Sequence, residues 1–378
     1  MLVRLKALLL FASFRRAQLA ASLCTSGFRA ARWGPLAATS PQTRVVRACA
    51  TCSGGERSMS TKRQSPRARE DQAPKATGKR PKVIERSTPA VGAQDIKGDD
   101  SPPEPVVNAD DLIGISRRLH DRLKDKTWRG TSKQPVACSY NVLEYASEPN
   151  EAYTREYGGG RTLGRAFVVG MNPGPWGMAS RGPHGGGGVQ TGVPFGEVGY
   201  VRDWLGVRGE VGRPSKEHAK RRVEGFACQR SEVSGKRLWG FFKKMFGTAD
   251  AWGDSMFVYN YCPLTFMSSS GGNITPDKLP PTERERMEDA CGEALAAMML
   301  ALQPSVVIGV GKFAGFKCLQ AVKASGLGAG DDEVAVEVVV VNHPSPASPT
   351  GIKWEKATCM DELVLGSSAS KEIDRFLA

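Results

Sequence analysis

No apolar run in this chain approaches the roughly 20 residues of a membrane-spanning helix; Leu8-Leu9-Leu10-Phe11-Ala12 is far too short. No disulfide framework is written in it either. The nine cysteines stand scattered at 24, 49, 52, 138, 228, 262, 291, 318 and 359. An odd number without paired spacing suits free thiols in a reducing compartment. Cys49-Ala-Thr-Cys52 is a lone CxxC without the further ligands of a zinc or iron–sulfur centre, so no metal and no cofactor is expected. A full phosphate-binding glycine fingerprint is missing too: Gly309-Val-Gly-Lys312 lacks the remaining spacing and the following Ser or Thr. Acidic residues are absent from positions 1–55.

What is present divides in two. Net charge is +13, yet residues 1–105 hold 19 Lys and Arg against 8 Asp and Glu, while 106–378 hold 33 against 31. The charge belongs to the front of the chain, so a phosphate-binding face on the rest must be local. The expected organisation is a disordered basic tail over 1–105 and one folded domain over 106–378. Residues 1–55, with Ser, Ala and Leu between their arginines, have the composition of an organelle transit peptide, basic and amphipathic. From Met59 the basic clusters change, to Lys62-Arg63 and Lys79-Arg80-Pro81-Lys82, a pattern that fits nuclear import. The expected location is the nucleus, with a mitochondrion or another organelle as second destination through the 1–55 leader.

The strongest local signal is Arg165-Ala-Phe-Val-Val169 running into Gly170-Met-Asn-Pro-Gly-Pro175. An apolar run that stops in residues unable to continue a ladder or a helix reads as a buried strand opening into a loop. Met256–Tyr259, Val306–Ile308 and Val334–Val341 are further strands. Helices are expected behind Asp110 (Leu112, Ile115, Leu119 and Leu123 at helical spacing), over Val198–Leu205, around Leu238, Phe241, Phe242 and Met245, over Pro280–Leu302 and Phe313–Ala324, and at the end of the chain. Residues 180–189, with four successive glycines, read as a floppy insertion carrying a solvated His184. Residues 207–234 read as a polar surface excursion, and 136–145 is left unassigned to an element. Continuous apolar strands alternating with helices predict a parallel sheet covered on both faces.

The carboxyl ends of those strands carry Asn172, Asn260, Gly311 and His343, and in a parallel sheet they share the edge where open α/β folds bind ligands. No Asp or Glu belongs to these motifs. An amide orients water but cannot take its proton, so Asn172 is no general base. The set suits a reaction whose leaving group departs well before water attacks, with a donor such as His343 stabilising the departing charge. Asn260 offers donor and acceptor side by side, matching the edge of a nucleobase or an amide, and Phe195 offers a stacking face. Singly these are a turn asparagine, a strand-end histidine and a core phenylalanine; their joint occurrence at strand ends carries the expectation.

Six segments occur in order between about Val136 and Leu363: Gly170-Met-Asn-Pro-Gly174, Thr191-Gly-Val-Pro-Phe-Gly-Glu197, Arg202-Asp-Trp-Leu-Gly206, Ser231-Glu-Val-Ser-Gly235, Asn260-Tyr-Cys-Pro-Leu264 and His343-Pro-Ser-Pro346. Together they resemble the single-strand-selective monofunctional uracil-DNA glycosylases. The resemblance implies a three-layer αβα sandwich around a four-stranded parallel sheet. It implies an enzyme that flips uracil, and 5-hydroxymethyluracil, out of single- or double-stranded DNA and hydrolyses the N-glycosidic bond, leaving an abasic site for base-excision repair. In that frame Asn172 positions water, His343 steadies the uracil anion, Phe195 stacks on the base and Asn260 reads its edge. Met171 and Gly174 line the pocket, Gly174 leaving room near C5. The resemblance also implies a monomer acting on DNA, away from membranes and without metal, and no lysine stands at a motif position to form a Schiff base.

Two departures from the family pattern stand out. Residues 180–189 interrupt a short link, so Phe195 is expected to be less firmly placed. The loop Pro344-Ser345-Pro346-Ala347, expected to touch DNA, has Ala347 where the family carries a wedge arginine. Flipping a paired base costs on the order of a few kcal/mol, so action on duplex should weaken more than action on single strands. Two other functions fit parts of the pattern: a mismatch-type thymine/uracil glycosylase, against which His343-Pro-Ser-Pro346 argues, and a catalytically weak, lesion-sensing DNA-binding module.

Overall fold

The computed structural model describes residues 105–174, 190–327 and 336–365. The tail up to residue 104, the 180–189 insertion with His184, the first two residues of the Val334–Val341 run and the segment 366–378, where the sequence predicts a closing helix, lie outside the described residues.

In chain order the main elements are α1 (Ala109–Leu123), β1 (Cys138–Asn141), β2 (Gly164–Gly170), α2 (Val198–Asp203), α3 (Val233–Phe246), β3 (Met256–Asn260), β4 (Leu264–Met267), β5 (Asn273–Ile274), α4 (Pro281–Leu302), β6 (Pro304–Val310), α5 (Lys312–Ser325) and β7 (Glu337–Val341). α1 starts at Asn108, whose side-chain oxygen accepts the Asp110 N–H at 3.0 Å, and Asp110 and Asp111 sit at the positive end of the helix. Its spaced apolar residues Leu112, Ile115, Leu119 and Leu123 are all buried.

β2, β3, β6 and β7 form a four-stranded parallel sheet in the order β3-β2-β6-β7. Register sets Gly170 opposite Asn260, Val169 opposite Gly309 and Val310 opposite Val341, so the four carboxyl ends stand level. The chain steps outward from β2 to β3 and then crosses back to β6, which opens a crevice at the carboxyl ends beside β2. Helices cover both faces. On one face Phe257 stacks on Tyr153, and α1, α4 and α5 pack side by side. There a Cβ on Gly309 would lie 2.4 Å from the Gly315 Cα, so these glycines serve the approach of α5 to β6. The other face, shared by Val168 and Gly170, carries Phe195 and, behind it, α3.

Two stretches differ from expectation. Residues 136–145 form β1 and a helical turn, Val142–Tyr145, and β1 joins β4 and β5 in a second, antiparallel sheet. Residues 207–234 are not simply a surface excursion. Val207, Val223, Cys228 and Glu232 are buried, and Arg221 is only 4% exposed. Backbone carbonyls receive its charge: Arg221 Nε donates to Gly271 O at 3.0 Å, and its own carbonyl accepts the Tyr140 hydroxyl at 2.8 Å. A basic composition therefore packs onto the small sheet instead of leaving it.

Candidate active site

The chain leaving β2 is tied to the chain leaving β3. Tyr261 N–H donates to Gly170 O and Cys262 N–H to Met171 O, each at 2.9 Å. Asn172 then turns its amide nitrogen inward, donating to Leu264 O at 3.0 Å and Pro173 O at 3.3 Å. Both partners are acceptors, which fixes the amide orientation and leaves Oδ1 as an acceptor with no partner among the described residues. Thr265 Oγ1 donates to Pro173 O at 2.8 Å and pins the same turn. Leu264 and Thr265 belong to β4, so the small antiparallel sheet is what orients Asn172.

Gly170 marks the centre. A Cβ there would lie 2.5 Å from Asn260 Oδ1 and 2.7–2.8 Å from Cε2 and Cζ of Phe195. Glycine is thus required for the Asn260 amide and the Phe195 ring to meet over the strand end. The Asn260 amide has no hydrogen-bond partner among the described residues. Two carboxylates lie close to Phe195, and both cap helices: Glu197 accepts the Tyr200 N–H at 2.9 Å, and Glu232 accepts the Ser234 N–H at 3.0 Å. Burial pushes the Glu232 carboxyl above its ordinary range.

His343 follows β7 and rests against Gly311, where a Cβ would stand 3.5 Å from the His343 Cβ and Cδ2. Its ring centroid is 6.0 Å from that of Phe195, at 44°. Nδ1 accepts the Ser345 N–H at 3.0 Å, so in the neutral ring the proton sits on Nε2. Burial lowers the imidazole from 6.5 to about 4, which keeps it neutral at neutral pH. The surrounding loop is anchored at several points. Asn342 Nδ2 donates to Leu363 O and Trp354 Nε1 to Asn342 O, each at 2.7 Å, while an Arg237 amino group donates to Pro344 O at 2.9 Å. Pro344 is buried, Ser345 half-buried, and Pro346 and Ala347 exposed.

Phe195, Asn260 and His343 therefore come together around Gly170 and Gly311, with Asn172 and Met171 on the loop that leaves β2. Gly174, further along that loop, is half-buried. The Phe195 carbonyl accepts Trp239 Nε1–H at 3.0 Å and Glu197 N–H at 2.7 Å, while the insertion expected to loosen Phe195 lies outside the described residues. Arg237 and Trp239 are not legible as site residues in the sequence, and Gly170 and Gly311 are legible there only as strand ends. Gly170 has one signal, a glycine ending a β-branched run, which marks a close approach. The arrangement combines an uncharged donor, an acceptor oxygen, a donor–acceptor amide and an aromatic face.

The family model of the Uracil DNA glycosylase superfamily matches residues 159–364. The chain is 40% identical over 261 residues to the single-strand selective monofunctional uracil DNA glycosylase of Bos taurus, covering 69% of this chain and 88% of that protein. With the protein of that name from Rattus norvegicus it is 44% identical over 225 residues, covering 59% and 74%. A solved structure titled "The crystal structure of WT Pedobacter heparinus SMUG2" aligns at 17% identity and a TM-score of 0.43, over 71% of this chain and 96% of that one. Matched over more than half its length by the family model, the chain belongs to the uracil DNA glycosylase superfamily.

Proposed function

We propose that this chain excises uracil from DNA by hydrolysing its N-glycosidic bond, the first step of base-excision repair. The observation that carries the reading is His343, a neutral imidazole with its proton on Nε2, beside the Phe195 ring that the Asn260 amide meets over Gly170. Uracil turned out of the stack lies on Phe195, with its N3–H and O4 met by Asn260 Oδ1 and Nδ2. The C1′–N1 bond breaks and its electron pair stays with the base. Charge collects on O2, where the His343 Nε2–H donates to it. Water held by Asn172 Oδ1 adds to C1′, and the proton it loses ends on uracil N1, leaving free uracil and an abasic site. Asn172 needs only to orient the water, because the departing base has already made C1′ electrophilic.

Finer features of the reading follow the same residues. Gly174 leaves the C5 side open for 5-hydroxymethyluracil, Met171 lines the pocket, and the Pro344–Ala347 loop meets the DNA. Single strands are favoured over duplex. The working unit is a monomer of the 106–378 domain, active in the nucleus, with the 1–105 tail carrying the address signals.

The test is release of free uracil from a single-stranded oligonucleotide in EDTA, comparing wild type with His343→Leu. Losing one charge-stabilising donor should slow release by roughly a hundredfold or more. Binding of the oligonucleotide without release by wild type would overturn the reading in favour of a lesion-sensing binding module.

A further inference from the structure

The Ser231-Glu-Val-Ser-Gly235 motif has no part in the chemistry above, yet the helix it opens lies directly against Phe195. Phe195 adopts φ +51°, a left-handed conformation that a residue with a Cβ keeps only when its surroundings impose it. The surroundings here converge on one atom, the Phe195 carbonyl oxygen. Trp239 Nε1–H donates to it from the second turn of α3 at 3.0 Å, and Glu197 N–H donates to it at 2.7 Å. A Cβ on Gly235 would lie 2.1 Å from the same oxygen, so only glycine lets the first turn of α3 come this close. Glu232 fixes that turn by accepting the N–H groups of Ser234 and Gly235.

On the other side, Gly196 leaves room for the fully buried Thr191, whose hydroxyl donates to Gly196 O at 3.3 Å. Among the described residues, the contacts that seat Phe195 all come from the chain after residue 189.

We infer that Gly235 and Trp239 are positioning residues: through the Phe195 carbonyl they hold the Phe195 ring over Gly170, beside the Asn260 amide and the His343 imidazole. Neither touches the base; both act through Phe195. The inference rests on the stacking role given to Phe195 above.

The experiment is a double-mutant cycle on uracil release from a single-stranded oligonucleotide, with Trp239→Phe made in wild type and in Phe195→Ala. Trp239→Phe keeps an aromatic ring in the core but removes the donor together with part of the ring volume, a loss common to both backgrounds that the cycle cancels. It should lower kcat/KM roughly tenfold in wild type, the size of one base–aromatic stacking contact, and less than about twofold in the Phe195→Ala background. Equal losses in both backgrounds, or no loss in either, would overturn the inference. A second measurement needs no activity. Because Phe195 is held left-handed, Phe195→Gly should unfold at higher urea than Phe195→Ala, the reverse of the usual order. If wild type releases no uracil, the proposed function fails and the urea order alone decides on the seat; Ala equal to or above Gly would remove it.

Discussion

Burial holds the His343 imidazole neutral down to about pH 4, whereas an ordinary histidine titrates near 6.5. Between those values the unfolded chain takes up a proton that the folded chain does not. The contribution of neutral His343 to stability is therefore fully present above about 6.5 and is lost as pH falls toward about 4. Urea midpoints should drop further between pH 7 and pH 5 in wild type than in His343→Asn; parallel drops would mean that the imidazole is not held as described. The acid limb of uracil release that belongs to this group should also lie near 4, not near 6.5. At this scale the sequence shows the side-chain types and not their states. His343 is visible as a strand-end histidine, but its tautomer depends on the Ser345 N–H and its neutrality on what covers the ring. Likewise Phe195 is visible as an aromatic, and its left-handed backbone is not.

Among the elements, α3 joins the two halves of the site. Its first turns meet the Phe195 carbonyl through Gly235 and Trp239. Between those two residues stands Arg237, whose guanidinium reaches the other half: it donates to Pro344 O at 2.9 Å and pairs with Glu355 at 2.6 Å. Arg237→Met keeps an unbranched apolar stem and removes both the bond to Pro344 O and the pair with Glu355. It should cost about 1–2 kcal/mol of stability and, on the proposed function, lower kcat more than it raises KM, because the loop it releases carries the donor proposed to act as the base departs. A Glu355→Gln variant with the same defect would assign the effect to the ion pair instead of the carbonyl bond. Elements also differ in how plainly they are written. β2, β3 and β6 are legible because buried strands of a parallel sheet read as continuous apolar runs, and β7, half-buried except at Val341, is legible from its run of valines. β1 is not, because Cys138–Asn141 has a mixed composition and gains its partners, Leu264–Met267, from far along the chain.

For the whole molecule, parallel register brings four loops to one edge, and the loop after β7 leaves Pro346 and Ala347 exposed there. On the proposed function this is the loop that meets DNA. Ala347→Arg should raise uracil release from duplex severalfold and leave single strands nearly unchanged, since a wedge helps only where a base must be pulled from its pair. An unchanged duplex-to-single-strand ratio would exclude this loop as the limit on duplex work.

The parallel sheet, most of its helices and the strand-end residues Asn172, Asn260 and His343 can all be read from the order of amino acids, because burial and chain reversal leave local marks in composition and spacing. How those side chains are held cannot be read there. The β4 carbonyl that turns Asn172, the empty side of Gly170 that lets Phe195 meet Asn260, and the Trp239 indole on the Phe195 carbonyl are contacts between residues distant along the chain. They exist only once the whole fold has closed, and no local pattern encodes them.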